Sequence, residues 1–274
     1  MTEVVHAVEG KVIAITGAAS GIGEALARCF VSHGAAALAL TDINGPGAES
    51  LATQLQQEHD VPVFVNATDV SDEAQMVTFI DNAEAAVGPL DLFCGNAGIF
   101  VFGGPEATNA DWDRIMGVNV MAHVYASRVL VPRMLARGGG TFMLTVSAAG
   151  ILTQIGSAPY SVTKAAALSF AEWLSITYGE RGLTVHALCP QAVATAMTAG
   201  IDGGGVAGVD GMLSADDVAS AALDGLATGA LRILPHPEVA EYGRRRADDN
   251  ERWLRGMRRL QAMFNDFVPP VPGS

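Results

Sequence analysis

The chain has 274 residues, half of them apolar, and a formal net charge of −13, which argues against nucleic-acid or anionic-membrane partners. No apolar run approaches the roughly 18 residues of a membrane span, and the first residues lack the basic and apolar regions of a signal peptide. Three cysteines (Cys29, Cys94 and Cys189) lie in apolar runs at no metal-like spacing, so a cytoplasmic protein with reduced thiols and no metal site is expected.

Residues 11–16, Lys-Val-Ile-Ala-Ile-Thr, are short, apolar and β-branched, which predicts a buried strand. Gly17-Ala18-Ala19-Ser20-Gly21-Ile22-Gly23 follows, then a helical pattern from Glu24 to Phe30. Strand, glycine-rich turn and helix in that order make a phosphate site, because the backbone can approach a pyrophosphate at the helix N-terminus. A second strand over residues 36–41 ends at Asp42, nineteen residues beyond Gly23, where a carboxylate would hold the adenosine ribose hydroxyls. A turn or capping role competes for Asp42, since Asn44, Gly45 and Pro46 come next. Neither Ser20 nor Ile43 is a cation that could receive a 2′-phosphate, so NAD is preferred over NADP.

The alternation continues with a helix over 46–58 and a strand over 62–66, after which Asp69 and Val70 could edge the adenine. Ser71 is the expected cap of a helix running to Val87. A strand over 90–94 leads into Gly95-Asn96-Ala97-Gly98, and residues 108–137 form a long helical stretch containing Asn119. A strand over 141–147 ends at Ser147, a helix over 157–179 carries Tyr160 and Lys164, and a sixth strand runs from Leu183 to Cys189. Repeated βα units with short joints predict an α/β fold, a doubly wound parallel sheet of about seven strands. Gly17, Asp42, Asp69, Asn96, Ser147 and Pro190 all fall at strand ends, where such sheets bind ligands.

Beyond Pro190 the chain is rich in Gly and Ala, and residues 191–213 read as a loop that is either a mobile lid or partly disordered. Ser214 is the expected cap of a helix to about Thr228, and residues 232–234 make a last strand. The catalytic domain is therefore expected over 1–237, with 238–274 a helical tail of different composition. That tail holds seven of the fourteen arginines and a net charge of +1, against −14 for the rest. Trp253, Met257, Leu260, Phe264 and Phe267 recur in it at helical spacing, predicting an amphipathic face packed on its own domain or on a neighbouring subunit; walling the substrate pocket is the alternative. Arg244, Arg245 and Arg246 are expected to be solvated or paired with Asp248 and Asp249, and residues 269–274 to fray.

Tyr160 and Lys164 lie four apart, hence side by side on one helix face. A tyrosine hydroxyl titrates near ~10 when unperturbed, and a neighbouring ammonium favours the phenolate and moves that value down. Ser147, thirteen residues upstream, could hold a substrate oxygen beside the tyrosine. The pair alone also arises by accident on ordinary helices, but the chain contains only two lysines and one of them is here.

These pieces together resemble the classical short-chain dehydrogenase/reductase family over roughly residues 8–235. Residues 16–23 match its Thr-Gly-x-x-x-Gly-x-Gly cofactor motif, and Asn119, Ser147, Tyr160 and Lys164 fall at its catalytic tetrad in order and spacing. The resemblance implies that Tyr160 exchanges a proton with the substrate oxygen, which Ser147 orients. It implies that Lys164 holds the nicotinamide ribose and lowers the tyrosine pKa, while Asn119 anchors a water. Two departures stand out: Gly95 replaces the first Asn of the family's Asn-Asn-Ala-Gly, and Gln191 replaces the Gly of its Pro-Gly, with Val193 and Thr195 still placed to meet the carboxamide. A positive φ at Gln191 would strain the backbone.

The expected function is NAD-dependent interconversion of a secondary alcohol and a ketone, with an NADP-linked reductase and a non-catalytic dinucleotide-binding redox sensor as alternatives. The substrate region drawn from residues 99–102, 149–155, 192–197 and the lid is mainly apolar and has no Arg or Lys, which suggests a hydrophobic or ring-bearing substrate. The resemblance further implies a homodimer or homotetramer through the two long helices, whose small residues Ala165, Ala166, Ala167 and Ala171 permit close packing.

Overall fold

A computed structural model describes residues 7–264. The first half of the chain alternates β1 (Val12–Thr16), α1 (Gly21–Ser32), β2 (Ala37–Asp42), α2 (Gly45–His59), β3 (Val63–Ala67), α3 (Glu73–Val87) and β4 (Leu92–Gly95). Then come α4 (Asn109–Met116) and α5 (Ala122–Ala136), joined without a break by a π-helical turn over Gly117–Met121. They are followed by β5 (Gly140–Thr145), the short α6 (Ala149–Leu152), α7 (Ala158–Tyr178) and β6 (Leu183–Leu188). The remainder is β7 (Val193–Ala194), β8 (Leu213–Ser214), α8 (Ala215–Thr228), β9 (Arg232–Ile233), α9 (Glu238–Asp248) and α10 (Asn250–Met263).

Seven strands form one parallel sheet in the order β3-β2-β1-β4-β5-β6-β9. Strand periodicity divides the core in two. Ile13, Ile15, Leu38, Leu40 and Cys94 face α1 and α8, where Leu26, Phe30 and Val218 are buried. Ala14, Ala39, Phe93, Phe142 and Leu144 face the other way, against Met76 and Phe79 of α3, Leu130 of α5 and Leu168 and Leu174 of α7. Both faces are apolar, so the strands read as continuous hydrophobic runs. The strand order reverses between β1 and β4, which opens a crevice at their carboxyl ends.

Two expectations shift in detail. Asp72, not Ser71, caps α3 by accepting the Gln75 N–H, because the Ser71 hydroxyl is drawn to Asp69 at 2.6 Å. The stretch after Pro190 is ordered as more than a loop: β7 pairs with β8, and two 3₁₀ turns lie between them. Gly203, Gly204 and Gly205 all take positive φ in the second turn, which explains the triple glycine. The tail packs on its own domain: Val239 is buried with Ala148 and Leu152, and Tyr242 and Trp253 pack against them.

Candidate active site

The glycine-rich turn makes a cradle by close approach. A Cβ on Gly17 would come within 2.8 Å of Ala97 Cα, and one on Gly23 would overlap the Gly17 carbonyl oxygen. Ser20, extended at the N-cap of α1, spends no side-chain hydrogen bond on the helix, so the Gly21 and Ile22 end faces the crevice uncapped. Thr195, just beyond β7, crosses this end, its methyl 3.1 Å from where a Gly21 Cβ would be. A helix N-terminus left open beside glycines fits a dinucleotide pyrophosphate. The Asp42 carboxylate is fixed by two backbone donors, Ala19 N–H at 3.0 Å and Asn44 N–H at 2.8 Å, while Asn44 itself caps α2. The side chain is thus both a turn residue and a carboxylate held against the cradle. Asp69 spends its carboxylate on Ser71, and Val70 is buried.

Asn96 stitches the switch point together. Its backbone N–H donates to Thr16 Oγ1 at 3.0 Å, its amide to the Thr16 carbonyl at 3.1 Å, and its Oδ1 accepts the Thr145 hydroxyl at 3.0 Å. One side chain therefore ties β1, β4 and β5. The space that Gly95 leaves is filled by the buried ring of His123, whose Nδ1 would lie 2.6 Å from a Gly95 Cβ. This fills the gap that the sequence departure leaves.

Asn119, Ser147, Tyr160 and Lys164 converge at these strand ends. The π-helical turn swings the Asn119 amide onto the loop after β4, where Oδ1 accepts Ile99 N–H at 2.9 Å and Nδ2 donates to Ile99 O at 3.0 Å. The Ser147 hydroxyl, two residues past β5, is 3.4 Å from Pro190 O and accepts Ala149 N–H at 3.1 Å. Ser157 caps α7 by accepting Tyr160 N–H, and Phe100 packs on the Tyr160 ring at 4.8 Å between centroids. Lys164 is buried, with Nζ donating to Thr145 O at 2.8 Å and lying 5.5 Å from the Tyr160 ring centroid. A Cβ on Gly98 would sit 3.5 Å from both Lys164 Nζ and Asn119 Oδ1, so Gly98 leaves that space open.

Burial dominates the electrostatics of Tyr160 and Lys164. Burial pushes Tyr160 up to about 12, with the Ser147 hydroxyl working against the rise. The Lys164 ammonium faces the Tyr160 ring, 5.5 Å from its centroid, and the Thr145 carbonyl. Burial brings Lys164 itself down to about 8, so it is still mostly a cation at neutral pH. The feared strain at Gln191 is absent, as its φ is not positive; its amide instead reaches Asp210 in the lid at 3.1 Å.

A cavity of about 750 Å³ opens beside Ser147. Part of the expected lining is there (Ala149, Leu152, Thr153 and Gln154, with Val206 and Val209 of the lid), but residues 99–102 and 192–197 are not. Its outer wall comes from the tail, with Tyr242, Trp253, Met257 and Leu260, together with Arg245, Arg252 and Arg259. The cavity thus has cations in its wall, from the tail, although residues 99–102, 149–155 and 192–197 contain none. The amphipathic stripe of the tail admits such a wall as the alternative to simple packing, and the tail does both, since Trp253 also packs against Val239 and Leu152. The arginine run is paired differently too: Arg244 and Arg245 bind Glu241 at 2.7 and 2.9 Å, and Arg246 reaches the Ile151 carbonyl.

Residues 11–203 match the short chain dehydrogenase family. The chain belongs to that family. The family's oxidoreductases act on alcohols and ketones. Meso-2,3-butanediol dehydrogenase of Serratia marcescens is 31% identical over 193 residues, covering 70% of this chain and 75% of the relative. A short-chain dehydrogenase/reductase of Burkholderia phymatum, solved with NAD, superposes with a TM-score of 0.81 at 30% identity, covering 89% of this chain and 95% of that one. L-sorbose reductase of Gluconobacter frateurii, solved with NADPH and L-sorbose, does so with a TM-score of 0.76 at 25% identity, covering 83% and 95%. Neighbours of this fold thus bind NAD in one case and NADPH in the other. No described helix is long and apolar enough to cross a membrane, and the described residues hold no group of His, Cys, Asp and Glu side chains that could bind a metal.

Proposed function

We propose that the protein is an NAD-dependent dehydrogenase that interconverts a secondary alcohol and a ketone, the substrate being hydrophobic or ring-bearing. The observation that carries this is the meeting of Asn119, Ser147, Tyr160 and Lys164 beside a glycine cradle and a cavity. Gly17, Ser20, Gly21, Ile22 and Gly23 would hold the pyrophosphate, Asp42 the adenosine ribose, and Asp69 and Val70 the adenine edge. Asn96, Ala97, Gly98, Pro190, Val193 and Thr195 would border the nicotinamide half, with Tyr160 and Lys164 on its ribose. The fixed Asp42 carboxylate, with the uncharged Ile43 beside it, supports NAD over NADP.

The bound dinucleotide supplies hydride chemistry at the substrate carbon. Ser147 holds the substrate oxygen, and Tyr160, a neutral phenol at pH 7, is in the form that donates a proton to a ketone. In the alcohol direction it takes that proton back, and the Lys164 cation stabilises the phenolate that precedes this step. The protein acts in the cytoplasm as a homo-oligomer. Assembly would use the outer face of α7, where Val162, Trp173 and Ile176 are exposed, rather than Ala167 and Ala171, which are buried in the subunit's own core. A monomer by light scattering would overturn that part.

Purified protein assayed for NAD⁺ and NADP⁺ reduction with secondary alcohols graded from aliphatic to ring-bearing tests the reading. Turnover is expected with NAD⁺ and should fall at least about a hundredfold in Tyr160→Phe. Full activity in that variant would sink the mechanism, and turnover with NADP⁺ alone would overturn the role of Asp42.

A further inference from the structure

In a chain with 29 acidic and 16 basic residues, every cation has carboxylates to choose from. Outside α10 the arginines are partnered: Arg28, Arg114, Arg128, Arg133, Arg137, Arg232, Arg244 and Arg245 in ion pairs, Arg181 over a tyrosine ring, and Arg246 on a carbonyl. The four on α10 (Arg252, Arg255, Arg258 and Arg259) have no side-chain partner among the described residues. Their distribution is not random around the helix. Arg252, Gly256 and Arg259 form one row at i, i+4, i+7, adjacent to the apolar row Trp253, Met257 and Leu260, and both rows line the cavity. Arg255 and Arg258 are not among the lining residues. Gly256 keeps the arginine row low; a Cβ there would meet only the Arg259 guanidinium, at 3.8 Å.

We infer that this cavity binds an apolar, ring-bearing alcohol or ketone that carries one carboxylate, received by Arg252 and Arg259. The inference rests on reading the cavity as the substrate site of a dehydrogenase. The apolar row and Leu152 take the hydrocarbon body, Ser147 lies on the inner side for the reacting oxygen, and the two free guanidinium forks lie on the exposed side. A planar guanidinium matches a carboxylate with two parallel hydrogen bonds, which an ammonium cannot do. Asp248 and Asp249 line the same cavity and limit the charge it accepts. Asp249 is committed to the α10 cap, accepting Arg252 N–H at 2.8 Å. The pair still disfavours a dianion such as a phosphate ester, which leaves a single negative charge as the fit.

The test is calorimetric titration of the full-length protein, in NAD⁺, with ring carboxylates of one to four rings that lack a hydroxyl, each against its methyl ester. At least one acid should bind about tenfold more tightly than its ester, as a charge-assisted pair at a half-open site contributes. Arg252→Gln/Arg259→Gln should abolish that preference, and Arg255→Gln/Arg258→Gln, which removes the same charge from the same helix, should keep it. Esters binding as well as acids across the series would overturn the inference. So would a preference that survives the first double variant or vanishes equally in the second. Turnover of the corresponding hydroxy acids and hydroxy esters reports separately on the dehydrogenase reading. Acid preference without any turnover would sink that reading and leave the carboxylate site standing, whereas equal turnover of acids and esters would do the reverse.

Discussion

His123 makes the sharpest stability prediction. Its ring is 2% exposed, packs against Gly95, and leaves Nε2 without a hydrogen-bond partner. Burial, and secondarily the Lys164 charge, push its pKa from 6.5 down to about 3. A group depressed in this way stays neutral in the folded protein while the unfolded chain picks up a proton below pH 6.5, so stability is lost as the pH falls from there towards 3. The interval corresponds to about 5 kcal/mol in all, or roughly 3 kcal/mol by pH 4.5. His123→Leu keeps an apolar body in the same space and removes both the titration and the unpaired nitrogen. At pH 7.5 it should match the parent to within about 1.5 kcal/mol. At pH 4.5 it should gain roughly 2 to 3 kcal/mol on it, seen by calorimetry as a Tm rise of about 4 to 5 °C relative to the pH 7.5 difference. His186 and His236 are pushed the same way by burial and act equally in both proteins, so the difference isolates His123. Parallel Tm–pH curves would refute the reasoning.

Gly95→Ala should cost about 1 to 3 kcal/mol, because its Cβ would meet His123 Nδ1 at 2.6 Å and Leu144 Cδ2 at 3.1 Å. Adding His123→Ala should relieve part of that cost in urea unfolding, and strictly additive effects would argue against the contact. Gly23→Ala should abolish dinucleotide binding, as its Cβ overlaps the Gly17 carbonyl that shapes the cradle; NADH fluorescence titrating with unchanged affinity would contradict this. Asp210→Ala removes the acceptor for both Gln191 at 3.1 Å and Tyr242 at 2.9 Å. Cleavage within residues 202–212 by limited proteolysis should accelerate, and an unchanged rate would mean that these bonds do not hold the lid.

The strands and long helices were legible because their causes are local. Apolar β-branched runs and 3.6-residue periodicity place β1, β2, β5, β6 and α7 to within a residue or two. The Ser71 cap slipped by one because two acceptors, Asp69 and Asp72, flank that hydroxyl and only geometry decides between them. The π-helical turn at Asn119 was not legible, since its anchor is the Ile99 backbone twenty residues away. The same holds for Lys164: spacing puts it beside Tyr160, but the direction of its ammonium is set by the Thr145 carbonyl at the end of β5. The cavity wall was legible only as an alternative role for the amphipathic tail, and its arginines were not part of it. Nothing within residues 238–263 says that α9 will dock on α6 and turn an arginine row towards Ser147.

The two departures from the family motif show how such distant causes act in pairs. Gly95 deletes a side chain from the middle of the sheet, and His123, twenty-eight positions on, supplies the missing volume from α5. The ties at these strand ends are carried by Asn96, whose amide, Oδ1 and backbone N–H reach β1 and β5, together with the Ala97 N–H, which also donates to Thr16 Oγ1. Gln191 takes the place of a glycine without adopting a positive φ, and the added side chain binds Asp210. Asp210 in turn holds Tyr242 of α9, so the segment after β6, the lid and the tail are joined through one carboxylate over the cavity. A glycine at 191 would leave Asp210 holding Tyr242 alone. The substitution therefore links the segment after β6, through Asp210 and Tyr242, to the tail that carries Arg252 and Arg259 on the cavity wall.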